Sequence, residues 1–395
     1  MEHAFKTLNR HHTNASKWEG EKKNVKDPED MLVFSVADSD YETAPAIKEA
    51  VLRRAEHGAY GYTAMGKDYR EIIKDWMERR YGLTIRPTWV IPLPKVLNGI
   101  SQVMRTYTNE GDKVLIQTPV YHVFTPLIKN NNRVLVENKL IKKTDNRYTI
   151  DFDDLETQFK SGVKMFLLCS PHNPIGRIWT KAELNRMVAL CRQYDVLLVS
   201  DEIHADFILF GNTFTSIGTF FDDYDNIILI SAPGKTFNLA GLHSAHMVIV
   251  NTKIRGTMKN IYHEIHLTGI NLFALEAIKT AYTKCDDWVD AQNRHIEANI
   301  TFATDYIHKN IKPGIVTPVE GTYLLWVDIA FTGMHCDAFV KALMKAESVV
   351  LSEGQCFGGN AQGHIRINTA CSKMQLQEGL KRIRRFVDTL DKGSR

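Results

Sequence analysis

No stretch of this 395-residue chain approaches the roughly 20 consecutive apolar residues that a membrane-spanning helix requires. The first thirty residues, from Met1 through His11-His12 to Lys26-Asp27, are polar and lack the apolar run of a secretory signal. Both absences point to a cytoplasmic protein. Cysteine is sparse. Six residues (Cys169, Cys191, Cys285, Cys336, Cys356 and Cys371) are scattered without a Cys-x-x-Cys pair, so neither a disulfide framework nor a zinc site is signalled, and reduced, mostly buried thiols are expected. An excess of one charge is missing as well: 49 Lys plus Arg stand against 46 Asp plus Glu, and the net +3 is spread without a basic stripe. This excludes a nucleic-acid partner. There is no Gly-x-Gly-x-x-Gly fingerprint; the glycine-rich stretch from Gly354 to Gly363 has another spacing and no βαβ unit after it. Internal repeats and low-complexity segments are absent too.

What is present is core-forming material. With 44% hydrophobic residues over this length, the chain is expected to form two domains, because single cores rarely grow past about 250–300 residues. Six apolar runs have strand length and composition: Lys113–Gln117, Arg133–Glu137, Met165–Cys169, Val196–Ser200, Ile227–Ile230 and His246–Val250. Helical patterns lie between them, notably Ser101 to Thr108 after Gly99 and Lys181 to Tyr194 after Thr180. This alternation predicts an α/β domain over 46–284, built on a mostly parallel sheet covered on both faces. A smaller α+β lobe is expected over 285–395, with a helix Asp286–Asn310, a strand Tyr323–Asp328, a helix Asp337–Ala346, a strand His364–Asn368 and a helix Gln375–Val387. Residues 1–45 are expected to join this lobe. Lys392 to Arg395 form a polar tail.

Ser231-Ala-Pro-Gly-Lys-Thr-Phe-Asn-Leu-Ala-Gly-Leu242 contains a Gly-Lys-Thr that resembles the end of a phosphate-binding P-loop. Such a loop needs a glycine five residues before Gly234, but Leu229 stands there, inside an apolar strand. Pro233 also removes an amide that would face a phosphate. Taken alone, Lys235 reads as a solvated loop lysine. The ends of neighbouring strands change that reading, because open α/β sheets bind ligands at the carboxyl ends of their strands. Cys169 is followed by Ser170-Pro-His-Asn-Pro-Ile-Gly176, Ser200 by Asp201-Glu-Ile-His204, and Ile230 by Ser231 and then Lys235.

An asparagine in a Pro-flanked turn, an acid directly after a strand and a lysine shortly after a serine suit an aromatic aldehyde bearing a ring nitrogen, a ring hydroxyl and a phosphate. Lys235 would form a Schiff base with the aldehyde and later act as the base at the substrate Cα. Asp201 would pair with the protonated ring nitrogen, Asn173 with the ring oxygen and Ser231 with the phosphate. Tyr121 of Thr118-Pro-Val-Tyr-His122 would cover the ring, and Arg366 would clamp a substrate carboxylate. Plainer roles are open at each position: a cap for Asp201, a turn for Asn173, core packing for Tyr121, an ion pair for Arg366 and a satisfied histidine for His204.

Together, SPHNPIGRIWTKAEL, SDEIHADF, SAPGKTFNLAGL, YGYT, QTPVYHVF, GTYLLWVDI and HIRINTA resemble the fold-type I pyridoxal-phosphate enzymes, specifically the MalY/PatB group of cystathionine β-lyases (C–S lyases) within the class I/II aminotransferase superfamily. The likeness runs from about Val33 to the last helix. It implies a large domain with a seven-stranded sheet, a pyridoxal 5'-phosphate cofactor, a sulfur amino acid substrate, and a homodimer in which Tyr62 of Tyr60-Gly-Tyr-Thr63 reaches the neighbouring active site. It also places the backbone of Val96 and Leu97 on the phosphate, Ala37 and Asp38 beside the substrate, and His204 where related aminotransferases carry a tyrosine.

The implied reaction is α,β-elimination, giving homocysteine from cystathionine or sulfide from cysteine, with pyruvate and ammonia. Its rivals are transamination on the same cofactor and a regulatory protein that binds the cofactor with only incidental turnover. Four departures from the group's pattern bear on affinity and substrate choice: Gly234 in place of a serine, Lys95 in place of a glycine, the polar Ser35–Tyr41 lining, and Glu353 in place of a proline.

Overall fold

In a computed structural model, Phe5 and residues 7–392 are described; most of the terminal tail lies outside them. Seven strands form the main sheet: β1 (Val90–Leu93), β2 (Lys113–Thr118), β3 (Val134–Lys139), β4 (Val163–Cys169), β5 (Leu197–Asp201), β6 (Ile227–Ser231) and β7 (Ala245–Ile249). Their spatial order is β1-β7-β6-β5-β4-β2-β3. β7 runs antiparallel to both its neighbours, and the other pairs are parallel. All residues of β5 and β6 are buried, which is why their sequences are unbroken apolar runs instead of alternating ones.

All six apolar runs read from the sequence became strands of this sheet. The seventh, β1, was not legible: it is four residues long and contains Pro92. It lies at the sheet edge, paired only with β7, where a missing backbone donor is tolerated. The expected helix Ser101–Thr108 is corrected to α1, Val96–Tyr107, which runs straight through Gly99. Glycine weakens helices, but here the missing side chain is needed: a Cβ on Gly99 would stand 2.6 Å from Leu93 Cδ1. The helix Lys181–Gln193 starts on a capping box, in which Thr180 Oγ1 accepts from the Glu183 amide and Glu183 answers the Thr180 amide.

After the long helix Asp286–Asn310 come β8 (Leu324–Asp328), β9 (Ser352–Glu353) and β10 (His364–Asn368), which form an antiparallel sheet in the order β8-β10-β9. The N-terminal segment docks on these elements. Leu32–Val33 pairs in parallel with Val349–Val350, and Phe34 packs where Gly379 leaves room. Five of the six cysteines are buried and Cys356 is exposed. No helix among the described residues is long and apolar enough to cross a membrane.

The connection from β9 to β10 is tightly packed on itself, since a Cβ on Gly354 would run into the carbonyl oxygens of Ala361 and His364. Backbone cannot yield as a side chain can. Gly354→Ala is therefore expected to lower the unfolding free energy by about 1–3 kcal/mol, seen as a lower urea midpoint with an unchanged slope; an unaltered midpoint would show that the loop relaxes freely.

Candidate active site

The carboxyl ends of β4, β5 and β6 lie side by side, with Cys169 level with Asp201 and Asp201 level with Ile230. A cavity of about 230 Å3 opens there, and its lining includes Asn173, Asp201, His204, Tyr121 and Lys235. Asp201 is buried and accepts a hydrogen bond from the Ile203 amide (3.1 Å). Burial pushes its carboxyl up to about 7, against the weaker pull of that amide and of Lys235. His204 is also buried; desolvation, with Lys235 and Arg366, pushes it down to about 3, so its ring is neutral, and Nδ1 has no partner. Tyr121 is half-buried, and burial raises its hydroxyl to about 12.

The same cavity is lined by Pro94, Lys95, Val96 and Leu97, where α1 begins. Lys95 is the N-cap and gives no side-chain cap, so the first amides of the helix are left for an anion. Gly234, Ala240, His243 and Ser244 add to this lining. Ser231 does not. It is absent from the lining, and its hydroxyl donates to the Glu202 carbonyl (3.2 Å). Ser244, unremarked in the sequence, does line the cavity, and its Oγ is buried without a hydrogen bond. Tyr62 is fully exposed and lines no part of this cavity.

Lys235 lines this cavity too. Its Nζ donates to the Ala37 carbonyl (2.6 Å). Burial pushes its pKa down and Arg366 adds to this, while Asp38 and Asp201 oppose it. Arg366, on β10, is 2% exposed. It donates to Asn173 Oδ1 (3.0 Å), the Ser35 carbonyl (2.5 Å) and Ser352 Oγ (3.1 Å), lies over the Phe357 ring (4.9 Å), and keeps Nε buried and unpaired. A second chamber of about 780 Å3 opens beyond Lys235 and shares Ala37 and Tyr121 with the first. Its walls include Arg366, His122, Glu353 and Cys356.

Several residues that hold this arrangement were not read from the sequence. Asn368 Nδ2 donates to the carbonyls of Val36 (2.7 Å) and Asp38 (2.9 Å), and the Tyr323 hydroxyl joins Lys235 on the Ala37 carbonyl (3.0 Å). Arg10 pairs with Asp38 (2.7 Å), and the buried Lys17 pairs with Asp40 (2.7 Å) while also reaching the Asp38 carbonyl (3.0 Å). Asn368 was discoverable: it lies two residues after Arg366 on one strand and so shares its face. Arg10 and Lys17 carry no local signal.

The family model for aminotransferase class I and II matches residues 29–383. The chain belongs to that family. Within this aminotransferase class I and II group it is 34% identical over 357 residues to cystathionine beta-lyase PatB from Bacillus subtilis, covering 90% of this chain and 92% of that one. Its fold superposes with a TM-score of 0.93 on cystalysin from Treponema denticola, which contains a pyridoxal 5'-phosphate cofactor; identity is 32%, with 99% of this chain and all of the other covered. The pyridoxal-phosphate-bound C–S lyase from Staphylococcus hominis matches with a TM-score of 0.91 and 29% identity, covering 98% of each chain.

The raised Asp201 has a measurable consequence for the ligand-free protein. The folded state keeps this proton to about pH 7 whereas the unfolded chain releases it near about 3.9, so between those values the unfolded state binds fewer protons and stability falls as pH rises. Asp201→Asn is expected to remove up to about 4 kcal/mol of that fall, read as urea unfolding free energies at intervals from about pH 4 to about pH 7. Parallel curves for the two proteins would mean that the carboxyl is not desolvated.

Proposed function

We propose that the protein is a pyridoxal-phosphate-dependent β-C–S lyase that cleaves cystathionine- or cysteine-type amino acids to a thiol, pyruvate and ammonia. The observation that carries this reading is the position of one amine, Lys235, which shares one cavity with a buried acid and a helix N-terminus and the next with a buried guanidinium. The names of the relatives, cystathionine beta-lyase and C–S lyase, support elimination over transamination.

The donor set fits pyridoxal phosphate. When bound, the cofactor supplies an electron sink for negative charge at the substrate Cα. Asp201 would face its ring nitrogen; a carboxyl that burial holds near neutrality ionises when a cation is placed beside it. Asn173 would bond the ring oxygen, Tyr121 would cover one face of the ring and His204 would add a neutral imidazole nearby. The Val96 and Leu97 amides, with Ser244 and His243, would hold the phosphate.

Arg366 would take the substrate carboxylate, with its unpaired Nε as the free donor. Lys235 would remove the Cα proton; its lowered pKa leaves a larger share of the amine neutral and ready to accept it. Ala37 and Asp38 set the position and charge next to that amine.

In this reading residues 46–284 carry the cofactor, and 285–395 with 1–45 close over the substrate. We infer a cytoplasmic homodimer in which Tyr62, exposed together with Tyr60 and Leu52, reaches the other copy's phosphate.

Purified protein given cystathionine or cysteine, with no 2-oxo acid, should release pyruvate and thiol in equal amounts, and Lys235→Ala should reduce this by roughly 10^3-fold or more. Turnover that requires an added 2-oxo acid would instead mark a transaminase. A Cβ at Gly234 meets only Ala240, at 3.5 Å or more, so a serine fits there. Gly234→Ser is expected to tighten cofactor binding about threefold to tenfold by equilibrium dialysis; an equal affinity would show that the phosphate is already fully held.

A further inference from the structure

Beyond Lys235, a substrate has few directions open to it. The inner cavity is lined by Asp201 and by the start of α1, which the cofactor would occupy, and Arg366 would claim the carboxylate. Ala37, Tyr121 and Lys235 border both spaces, so the reacting carbons belong at that junction. The outer chamber, about 780 Å3, is the roomier of the two and would take the substituent on Cβ. There the sulfur acquires negative charge as its bond to carbon breaks, on a wall that includes Val36, Val350 and Leu351. Apolar side chains give a departing thiolate nothing to bond to.

One imidazole stands on that wall beside the junction. His122 follows Tyr121 in the chain and lines the outer chamber with Lys235 and Arg366. Its ring is fixed edge-on between two aromatic rings, 5.1 Å from Tyr121 at 77° and 5.6 Å from Phe357 at 78°. It makes no hydrogen bond with any of the described residues. The other polar donors on this lining are less suited. Lys23, Lys341 and Lys345 are exposed to water, Asn24 Nδ2 donates to Glu21 (2.9 Å), Ser352 Oγ donates to the Ser35 carbonyl (2.9 Å), the Cys356 thiol donates to the Glu353 carbonyl (3.0 Å), and Lys235 is committed to the Cα proton.

We propose that His122 is a catalytic residue that donates an N–H hydrogen bond to the departing sulfur. The proposal rests on the lyase reading. As Lys235 Nζ takes the Cα proton, the Cβ–S bond breaks with its electron pair on sulfur, and a double bond forms between Cα and Cβ. His122 keeps its proton throughout; the thiol is completed by the proton that Lys235 has collected. A neutral imidazole suits this task, since it has one donor nitrogen and does not add a further cation beside Lys235 and Arg366. Partial burial together with those two cations pushes His122 down to about 4, which keeps it neutral at physiological pH.

The test compares leaving groups. Holoenzyme and the His122→Phe and His122→Gln variants are assayed with cystathionine, which must expel sulfur, and with β-chloroalanine, which expels chloride and needs little help from a donor. Cofactor absorbance and circular dichroism confirm that each variant is loaded and folded. His122→Phe should lower the ratio of the two kcat/KM values by roughly 10- to 100-fold, as expected for losing a hydrogen bond to a charged group. The loss should fall mainly on kcat, and His122→Gln, which retains an N–H donor, should recover part of it. Equal slowing of both substrates, or of neither, would overturn the role of His122 while leaving the lyase reading intact. A wild-type protein that releases pyruvate from neither substrate would overturn both.

Discussion

Two cations, the partly buried Lys235 and the buried Arg366, end on carbonyl oxygens of one short stretch, those of Ala37 and Ser35. A buried charge is costly unless hydrogen bonds replace its water, and no carboxylate lies in ion-pair contact with either group among the described residues. Residues 35–40 must therefore be held still. Asn368 grips the chain on both sides of Ala37, Tyr323 shares its carbonyl, and Asn238 takes those of Ser39 and Tyr41 (3.2 Å each). Behind them, Asp40 is 0% exposed and gathers Lys17, Trp18 and Gln375. The N-terminal segment is thus part of the wall of the site and supplies the oxygens that make its two cations tolerable.

The same economy of charge runs through the cavity. Burial raises Asp201 and lowers Lys235 and His204, so in the ligand-free fold each of these groups is drawn toward its neutral form. A ligand that places a cation beside Asp201 reverses that preference there. Cofactor binding and the ionisation of the site are therefore one coupled event, and the fold has to be stable enough to carry the mismatch when the ligand is absent.

Much of this was legible because the chemistry sits at the ends of buried parallel strands. Asn173, Asp201 and Lys235 each follow an unbroken apolar run, and the sheet register sets those runs level. Arg366 was readable on its own short strand. Other features depend on packing that local pattern does not encode. Gly99 looked like a helix boundary until the closeness of Leu93 explained it, and β1 was hidden by a proline that only an edge position excuses. Ser231 was the natural phosphate ligand by spacing, yet its hydroxyl is spent on Glu202, and Ser244, thirteen positions later, lines the cavity instead. Lys17 lies 23 residues from its partner Asp40 in a polar segment with no periodicity to mark it.

The pairing of Leu32–Val33 with Val349–Val350 has a consequence for how the chain is made. On a ribosome, all seven strands of the main sheet have emerged once Ile249 is out, and that sheet is free to assemble. The segment that supplies Ala37 and Ser35 is synthesised before that sheet but has no strand to pair with until Val349–Val350 follows it. This early segment is thus fixed later than the sheet it serves, and the site acquires its two carbonyl oxygens only after Val349–Val350 has been made.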